Sequence, residues 1–178
     1  MKPGSILLIQ SKGFLPDQIR LHMRIWAKLT GTKPSLYNHA ETIIRYRGNM
    51  VSMGARAGGA EITALEDYLS QHPNYTVLEP VIDLNDREIF QLETYCEDVC
   101  FRNKRPYQKA MFLAWIAKLK SFGLFNWGDQ SDKKLYCYEL SARCASLVNR
   151  WDGEVGLVSV YQILENRHYQ ITEKHFNK

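Results

Sequence analysis

The sequence predicts an α+β fold in which a small antiparallel sheet, or half-barrel, packs against helices. Two observations predict it: strand-length apolar runs with a hairpin signal fill the first half of the chain, and helix-length amphipathic segments fill most of the second. The size agrees, because 178 residues with 45% hydrophobic and 24% charged residues suffice for one soluble domain with a sizeable core. We therefore expect residues 1–178 to form a single domain.

The predicted strands are short apolar runs bounded by turn-forming residues. The hairpin signal is Arg47-Gly48-Asn49, which separates a long strand from its returning partner. The glycine-rich segment 54–59 predicts a flexible loop. The predicted strands are residues 5–10, 36–46, 50–53 and 75–82.

Capping residues and apolar periodicity predict the helices. Thr63 and Glu66 have the spacing of a capping box, and Asp83 or Asn85 precedes a longer helix. The polar end of the chain predicts a loosely held tail. The predicted helices are residues 16–29, 63–70, 85–101, a segment from Pro106 onward, 139–151 and a short one at 161–165.

Charge and hydropathy exclude several classes of function. The net charge of +4 comes without a focused basic block, so no nucleic-acid partner is expected. No run approaches the roughly 20 apolar residues of a membrane helix, and no secretory signal is visible, so we expect a cytoplasmic protein without an integral membrane segment. Four cysteines in that compartment favour free thiols.

Cys137 lies where a turn-forming charged stretch meets a helical run, so it falls in the first turn of a helix. Unpaired backbone N–H groups and the positive end of the helix dipole favour a thiolate there. Such a cysteine needs a base within hydrogen-bond reach. Of five histidines, only His39 lies early on a predicted strand, which would hold an imidazole rigidly. Cys96 and Cys100 share a helix face, but no further ligands at suitable spacing indicate zinc.

Several short motifs, in their order along the chain, resemble those of a known protein family. These motifs are Pro3-Gly4-Ser5-Ile6-Leu7-Leu8, Asn38-His39-Ala40, Met50-Val51-Ser52-Met53, Gly58-Gly59-Ala60-Glu61-Ile62 and Tyr136-Cys137-Tyr138-Glu139-Leu140. In this order the chain resembles the circularly permuted papain-like hydrolases of the NlpC/P60 superfamily, in their YiiX/YebB-like branch. The resemblance covers most of the chain.

The resemblance implies a permuted papain-like fold with Cys137 as nucleophile and His39 as general base. Aligning the hairpins puts Ser52 at the third position of the family, where it would orient the imidazole. Glu41 is the alternative, since it lies two residues along the same strand face, although its carboxylate is expected to face solvent or a neighbouring strand. The N–H of Cys137 is a natural oxyanion donor, and Tyr136 either adds a hydroxyl donor or packs as an aromatic.

The implied activity is that of a cysteine hydrolase or acyl transferase that cleaves an amide, ester or thioester and needs no cofactor. The resemblance permits peptide and acyl or lipid-like substrates, and the apolar run 122–127 is a candidate groove wall. The alternatives are a non-catalytic peptide- or lipid-binding module on the same fold, and a structural domain in which Cys137 and His39 are far apart.

Overall fold

The computed structural model describes residues 1–11, the single positions 20, 21, 24, 25 and 28, and residues 35–56, 58–105, 137–155 and 158–176. Within these residues the strands form one antiparallel sheet. The strands are β1 Ile6–Ile9, β2 His39–Tyr46, β3 Asn49–Arg56, β4 Gly59–Ala64, β5 Tyr75–Pro80 and β6 Tyr169–His175. Their order across the sheet is β4-β3-β2-β1-β5-β6, so β2 and β1 lie in the middle.

Helices cover both faces of this sheet. They are α1 Leu65–Gln71, α2 Asp86–Cys96, a π-helical segment Glu97–Arg102 that continues α2, α3 Cys137–Leu147 and α4 Val160–Leu164. Asn85 caps α2 in a complete capping box with Glu88, as its predicted position requires. In the part of the chain that the structure describes, no helix combines the length and apolarity that crossing a bilayer requires.

The side chains of β1 alternate between two apolar cores. Leu7 and Ile9 pack with Tyr68 of α1 on one face of the sheet. Ile6 and Leu8 pack on the opposite face, in a cluster that includes Cys137 at the start of α3. Burial on both faces explains why β1 is apolar throughout instead of alternating with polar residues.

The prediction of a loop at residues 54–59 is wrong. Strand β3 continues to Arg56, and β4 begins at Gly59 and runs to Ala64. The capping box at Thr63 does not form either, because Thr63 lies in β4 and the cap of α1 is Ala64. A glycine inside a strand marks a close approach as often as a turn, and Gly54 is such a case.

The prediction of a loose C-terminal tail is also wrong. Residues Tyr169–His175 form β6, which pairs antiparallel with β5 along the edge of the sheet. All of β6 after Tyr169 is exposed, which explains its polar composition.

Two further helix predictions meet the structure only in part. The helix predicted to reach residue 151 ends at Leu147. Of the helix predicted at 16–29, positions 20, 21, 24, 25 and 28 are described, and they are helical. The helix predicted from Pro106 and the apolar run 122–127 lie outside the described residues.

Candidate active site

His39 and Glu41 form a close pair at the start of β2. They are two positions apart on one strand, so their side chains point to the same side of the sheet. The imidazole Nε2 of His39 lies 2.7 Å from Oε1 of Glu41. The Glu41 side chain is fully buried, whereas His39 keeps 20% of its side-chain surface exposed. The imidazole is therefore held from the interior and remains open on its outer side.

Cys137 is the second partner of the imidazole. It is the first residue of α3, and its side chain is close enough to His39 to act on the charge of the imidazole. Burial alone would lower the pKa of His39, but the charge and hydrogen bond of Cys137, together with those of Glu41, raise it to about 10. The imidazole is therefore protonated at neutral pH, next to a thiol group that can become a thiolate.

Both oxygens of the Glu41 carboxylate are engaged by donors. Arg56 donates from Nε to Oε1 at 3.0 Å and from Nη2 to Oε2 at 2.9 Å. The hydroxyl of Ser52 donates to Oε2 at 2.5 Å. Burial would raise the pKa of Glu41, but the hydrogen bonds and charges of His39 and Arg56 outweigh it and lower the pKa to about 2. Glu41 is thus a buried carboxylate that is ionised at neutral pH.

Gly54 makes room for this carboxylate. A Cβ atom at Gly54 would lie 2.0 Å from Oε1 of Glu41 and 2.2 Å from its Cδ. The carboxylate of Glu41 therefore occupies the space that any larger residue at position 54 would fill. Glycine is required here for close approach and not for a turn.

Arg56 is itself fixed by two neighbours. Its Nη1 donates to the hydroxyl of Thr63 on β4 at 2.6 Å. Its guanidinium lies over the ring of Tyr68, 4.8 Å from the centroid, which is a cation–π geometry. The site thus extends from Cys137 through His39 and Glu41 to an arginine that is largely buried.

The structure brings together Cys137 and His39, as the sequence predicts, but it changes the position of Ser52. Ser52 donates to Glu41 instead of orienting the imidazole, because the longer carboxylate side chain of Glu41 reaches Nε2. The expectation that Glu41 faces solvent is wrong, since that side chain is fully buried. The expectation of a cross-strand pair is confirmed, because Arg56 and Ser52 on the neighbouring β3 bind the carboxylate. Tyr136 lies outside the described residues.

Gly54 and Arg56 are site residues that the sequence does not predict. The sequence predicts a loop at residues 54–59, and side chains in a loop have no fixed alternation with Ser52. With β3 continuing to Arg56, the period of two puts Ser52, Gly54 and Arg56 on the side of Glu41.

The remaining cysteines lie away from this site. All four cysteines of the chain are free thiols. Cys96, Cys100 and Cys144 belong to a different apolar cluster from Cys137. A hydrogen bond to Cys100, together with burial, raises the pKa of Cys96, and burial raises that of Cys144 to about 12. Cys96 and Cys144 are therefore protonated at neutral pH.

Comparison with known proteins yields a likeness among solved structures. No protein-family model matches the sequence, and no curated protein matches it. Among solved structures, the crystal structure of metalloprotein yiiX from Escherichia coli O157:H7, DUF1105, matches with a TM-score of 0.67. The match covers 99% of this chain and 98% of the yiiX chain, at 14% sequence identity. The chain has a YiiX-like fold.

The YiiX-like part of the resemblance seen in the sequence is thus confirmed at the level of the fold. The six strands of the described residues, with helices on both faces, are the α+β architecture that was predicted. An identity of 14% carries no activity from yiiX to this chain, so the chemistry has to be argued from the side chains.

Proposed function

We propose that this protein is a cysteine hydrolase or acyl transferase of permuted papain-like architecture. Cys137 would be the nucleophile, His39 its general base and Glu41 the residue that orients the imidazole. The observation that carries the proposal is the alignment of three groups: Cys137 at the start of α3 acts on the imidazole of His39, and His39 is held at 2.7 Å by the buried Glu41. A nucleophile, a base and a group that fixes the base are what acyl transfer to a side chain requires.

The reaction follows from the charges in this chain. In the proposed resting state, His39 carries the proton of the pair, in keeping with its pKa of about 10. The thiolate attacks the carbonyl carbon of an amide, ester or thioester, and the N–H of Cys137 at the start of α3 stabilises the oxyanion. His39 then gives its proton to the leaving group, so a thioester to Cys137 remains. Water, deprotonated by His39, attacks that thioester and releases the acid and the thiol.

The proposed chemistry defines the class of substrate, which is a peptide amide or an acyl or lipid-like ester or thioester.

The description of yiiX as a metalloprotein raises the question of a metal at this site. The donor set here does not fit one. Both oxygens of Glu41 are saturated by Arg56, Ser52 and His39, and the guanidinium of Arg56 places a positive charge where a cation would have to bind. Across the described residues, no cluster of three or more His, Cys, Asp or Glu side chains is arranged to bind a metal ion. The proposed reaction therefore uses the side chains of Cys137, His39 and Glu41.

Thiol alkylation tests the proposal with a control inside the same chain. Cys137 and Cys100 are buried to nearly the same degree, at 5% and 7% exposure, but only Cys137 is next to an imidazole. With iodoacetamide at pH 7, we expect Cys137 to be modified at least tenfold faster than Cys100, measured by peptide mass spectrometry. Equal rates for the four cysteines would contradict a catalytic Cys137.

A substitution and an acyl donor complete the test. His39→Ala should slow the alkylation of Cys137 and leave that of Cys100 unchanged, because only Cys137 loses its proton acceptor. A p-nitrophenyl acyl ester should transfer its acyl group to Cys137 in the wild-type protein, detected as a mass increase on that peptide. Fast alkylation without any acyl transfer would favour the binding module over the hydrolase.

A further inference from the structure

We propose that Arg56 is a positioning residue that keeps the proton of the His39–Glu41 pair on His39. This inference rests on the function proposed above, since it concerns how the Cys137 thiolate is sustained. Arg56 is not a catalytic residue in this proposal, because it contacts neither Cys137 nor His39 in the described contacts. It acts through the carboxylate of Glu41.

A buried histidine and carboxylate can share their proton in two ways. The proton can stay on the imidazole, which gives an ion pair, or move to the carboxylate, which gives two neutral groups. Removal from water penalises the ion pair, so a deeply buried pair tends toward the neutral form unless other groups stabilise the charges. Glu41 has no solvent exposure, so water does not stabilise its charge.

Arg56 supplies the missing stabilisation for the ionised carboxylate. Its guanidinium donates to both oxygens of Glu41, and Ser52 donates to one of them. A proton on either oxygen would lose one of these bonds and would face a cation. The proton therefore stays on the imidazole, and the positive charge of the imidazolium stabilises the thiolate of Cys137.

The geometry requires arginine and not simply a positive charge. Nε and Nη2 serve the two oxygens of Glu41, while Nη1 is anchored on Thr63. A lysine ammonium is a point charge, and it cannot hold two oxygens and a hydroxyl in one plane. The ring of Tyr68 beneath the guanidinium limits its position further.

The four groups also balance in charge. Cys137 and Glu41 carry the negative charges, and His39 and Arg56 carry the positive ones, in strict alternation along the contacts. Each charge except the terminal ones has an opposite charge on both sides. Removal of Arg56 leaves two negative groups and one imidazolium, so the carboxylate is expected to take up a proton and the imidazolium to lose its support.

The experiment measures the alkylation rate of Cys137 as a function of pH in Arg56→Met and Arg56→Lys. In the wild type, the imidazolium sustains the thiolate at acidic pH. In Arg56→Met the thiolate loses this support, so the alkylation rate of Cys137 should rise with pH as it does for an ordinary cysteine. The wild-type rate should therefore exceed that of Arg56→Met at least about tenfold at pH 6, and the ratio should fall toward one at pH 9. Arg56→Lys should lie between the two.

The control is Arg150→Met, which removes another largely buried arginine–glutamate ion pair, that of Arg150 and Glu88, whose described ion pairs do not include Cys137, His39 or Glu41. It should keep the wild-type pH profile. A purely structural effect of Arg56→Met would instead expose Cys96, Cys100 and Cys144 and speed their alkylation at every pH.

The outcomes separate this inference from the proposed function. If wild-type Cys137 reacts no faster than Cys100, the proposed function fails. If wild-type Cys137 is fast and Arg56→Met has the same pH profile, only the role of Arg56 is overturned. If Arg56→Met does not fold, Thr63→Val removes the anchor of Nη1 alone and should produce a smaller loss on the acidic side, whereas an unchanged profile in both Thr63→Val and Arg56→Lys would overturn the inference.

Discussion

A carboxylate without solvent exposure is costly unless every lone pair finds a donor, and the contacts of Glu41 meet that condition. Arg56 and Ser52 bind it from the neighbouring strand, and His39 binds it from its own strand. Because the donors are already in place, Glu41 can orient His39 without rearrangement. The rigidity of the candidate site therefore comes from the interior and not from the solvent side.

Glu41→Gln tests the charge of this carboxylate at nearly constant shape. The amide cannot stabilise imidazolium as the carboxylate does, so the raised pKa of His39 should fall toward its ordinary value of 6.5. Alkylation of Cys137 at pH 7 should slow at least about tenfold, since fewer molecules then hold the ion pair. The pKa of His39 can be followed by NMR of the imidazole, with Glu66→Gln on the exposed side of α1 as the control.

Gly54→Ala tests the space that the carboxylate occupies. The added Cβ would lie 2.0 Å from Oε1, so Glu41 must leave its place between His39 and Arg56. Breaking one partner out of a buried ion pair costs about 3–5 kcal/mol, and the free energy of unfolding should fall by roughly this amount. Chemical denaturation measures it, and Cys137 alkylation should slow in parallel.

A double-mutant cycle provides the control for Gly54→Ala. In a Glu41→Ala background the space above position 54 is empty, so the same substitution should cost less than about 1 kcal/mol. Equal costs in both backgrounds would show that the strand backbone, and not the carboxylate, sets the requirement for glycine.

At the level of single residues, the sequence predicts Cys137 and His39 because each can be recognised from its own segment. Cys137 stands at the start of a predicted helix, and His39 stands on a predicted strand. Glu41 is only the alternative from the sequence, because its burial depends on a glycine and an arginine on another strand. Gly54 and Arg56 lie beside Glu41 because β3 continues to Arg56, which the sequence does not predict.

At the level of elements, the strands β2, β3 and β4 supply the residues that hold Glu41 and His39 in place. The register pairs Ile43 with Ser52 and Thr42 with Met53, which sets Gly54 beside Glu41. Apolar runs and the hairpin signal predicted the first two strands. The sequence does not predict β4, because this short strand begins with a glycine and includes polar residues, and its strand structure depends on pairing with β3.

Strand β6 provides a prediction at this level. It covers the outer edge of β5, and Tyr75 of β5 donates to Glu173 of β6 at 3.0 Å. A chain that stops after residue 166 should expose the backbone groups of β5, so it should melt at lower temperature and aggregate. Thermal unfolding with light scattering measures both effects.

The control for this truncation is a chain that stops after Phe176, which keeps all of β6. It should behave as the 178-residue chain does. If the shorter chain were as stable and soluble as the control, β6 would contribute little to the stability of the fold.

At the scale of the whole molecule, the candidate site joins two segments that are far apart in the chain. His39 opens a central strand and Cys137 opens a helix that packs on that strand, so their contact exists only in the folded state. Fold class was predictable because it depends on the kinds of elements present. The contact between Cys137 and His39 needed the family resemblance as well, because no local pattern in either segment specifies the other.

The same dependence on folding predicts how pH affects stability. The pKa of Glu41 is lowered from 4.5 to about 2, so its contribution is present above pH 4.5 and is lost as the pH falls toward 2. The pKa of His39 is raised from 6.5 to about 10, so its contribution is present below pH 6.5 and is lost as the pH rises through 10. Both contributions are complete only between about pH 4.5 and 6.5.

Urea denaturation of the wild type and of the double variant His39→Ala/Glu41→Gln measures this dependence. The wild type minus variant difference in the free energy of unfolding should be largest near pH 5.5 and smaller at pH 3 and at pH 9.5. Other titrating groups are common to both proteins and cancel in the difference. A difference that stays constant from pH 3 to 9.5 would mean that the two groups titrate alike in the folded and unfolded chains, and the ion pair would then not exist as described.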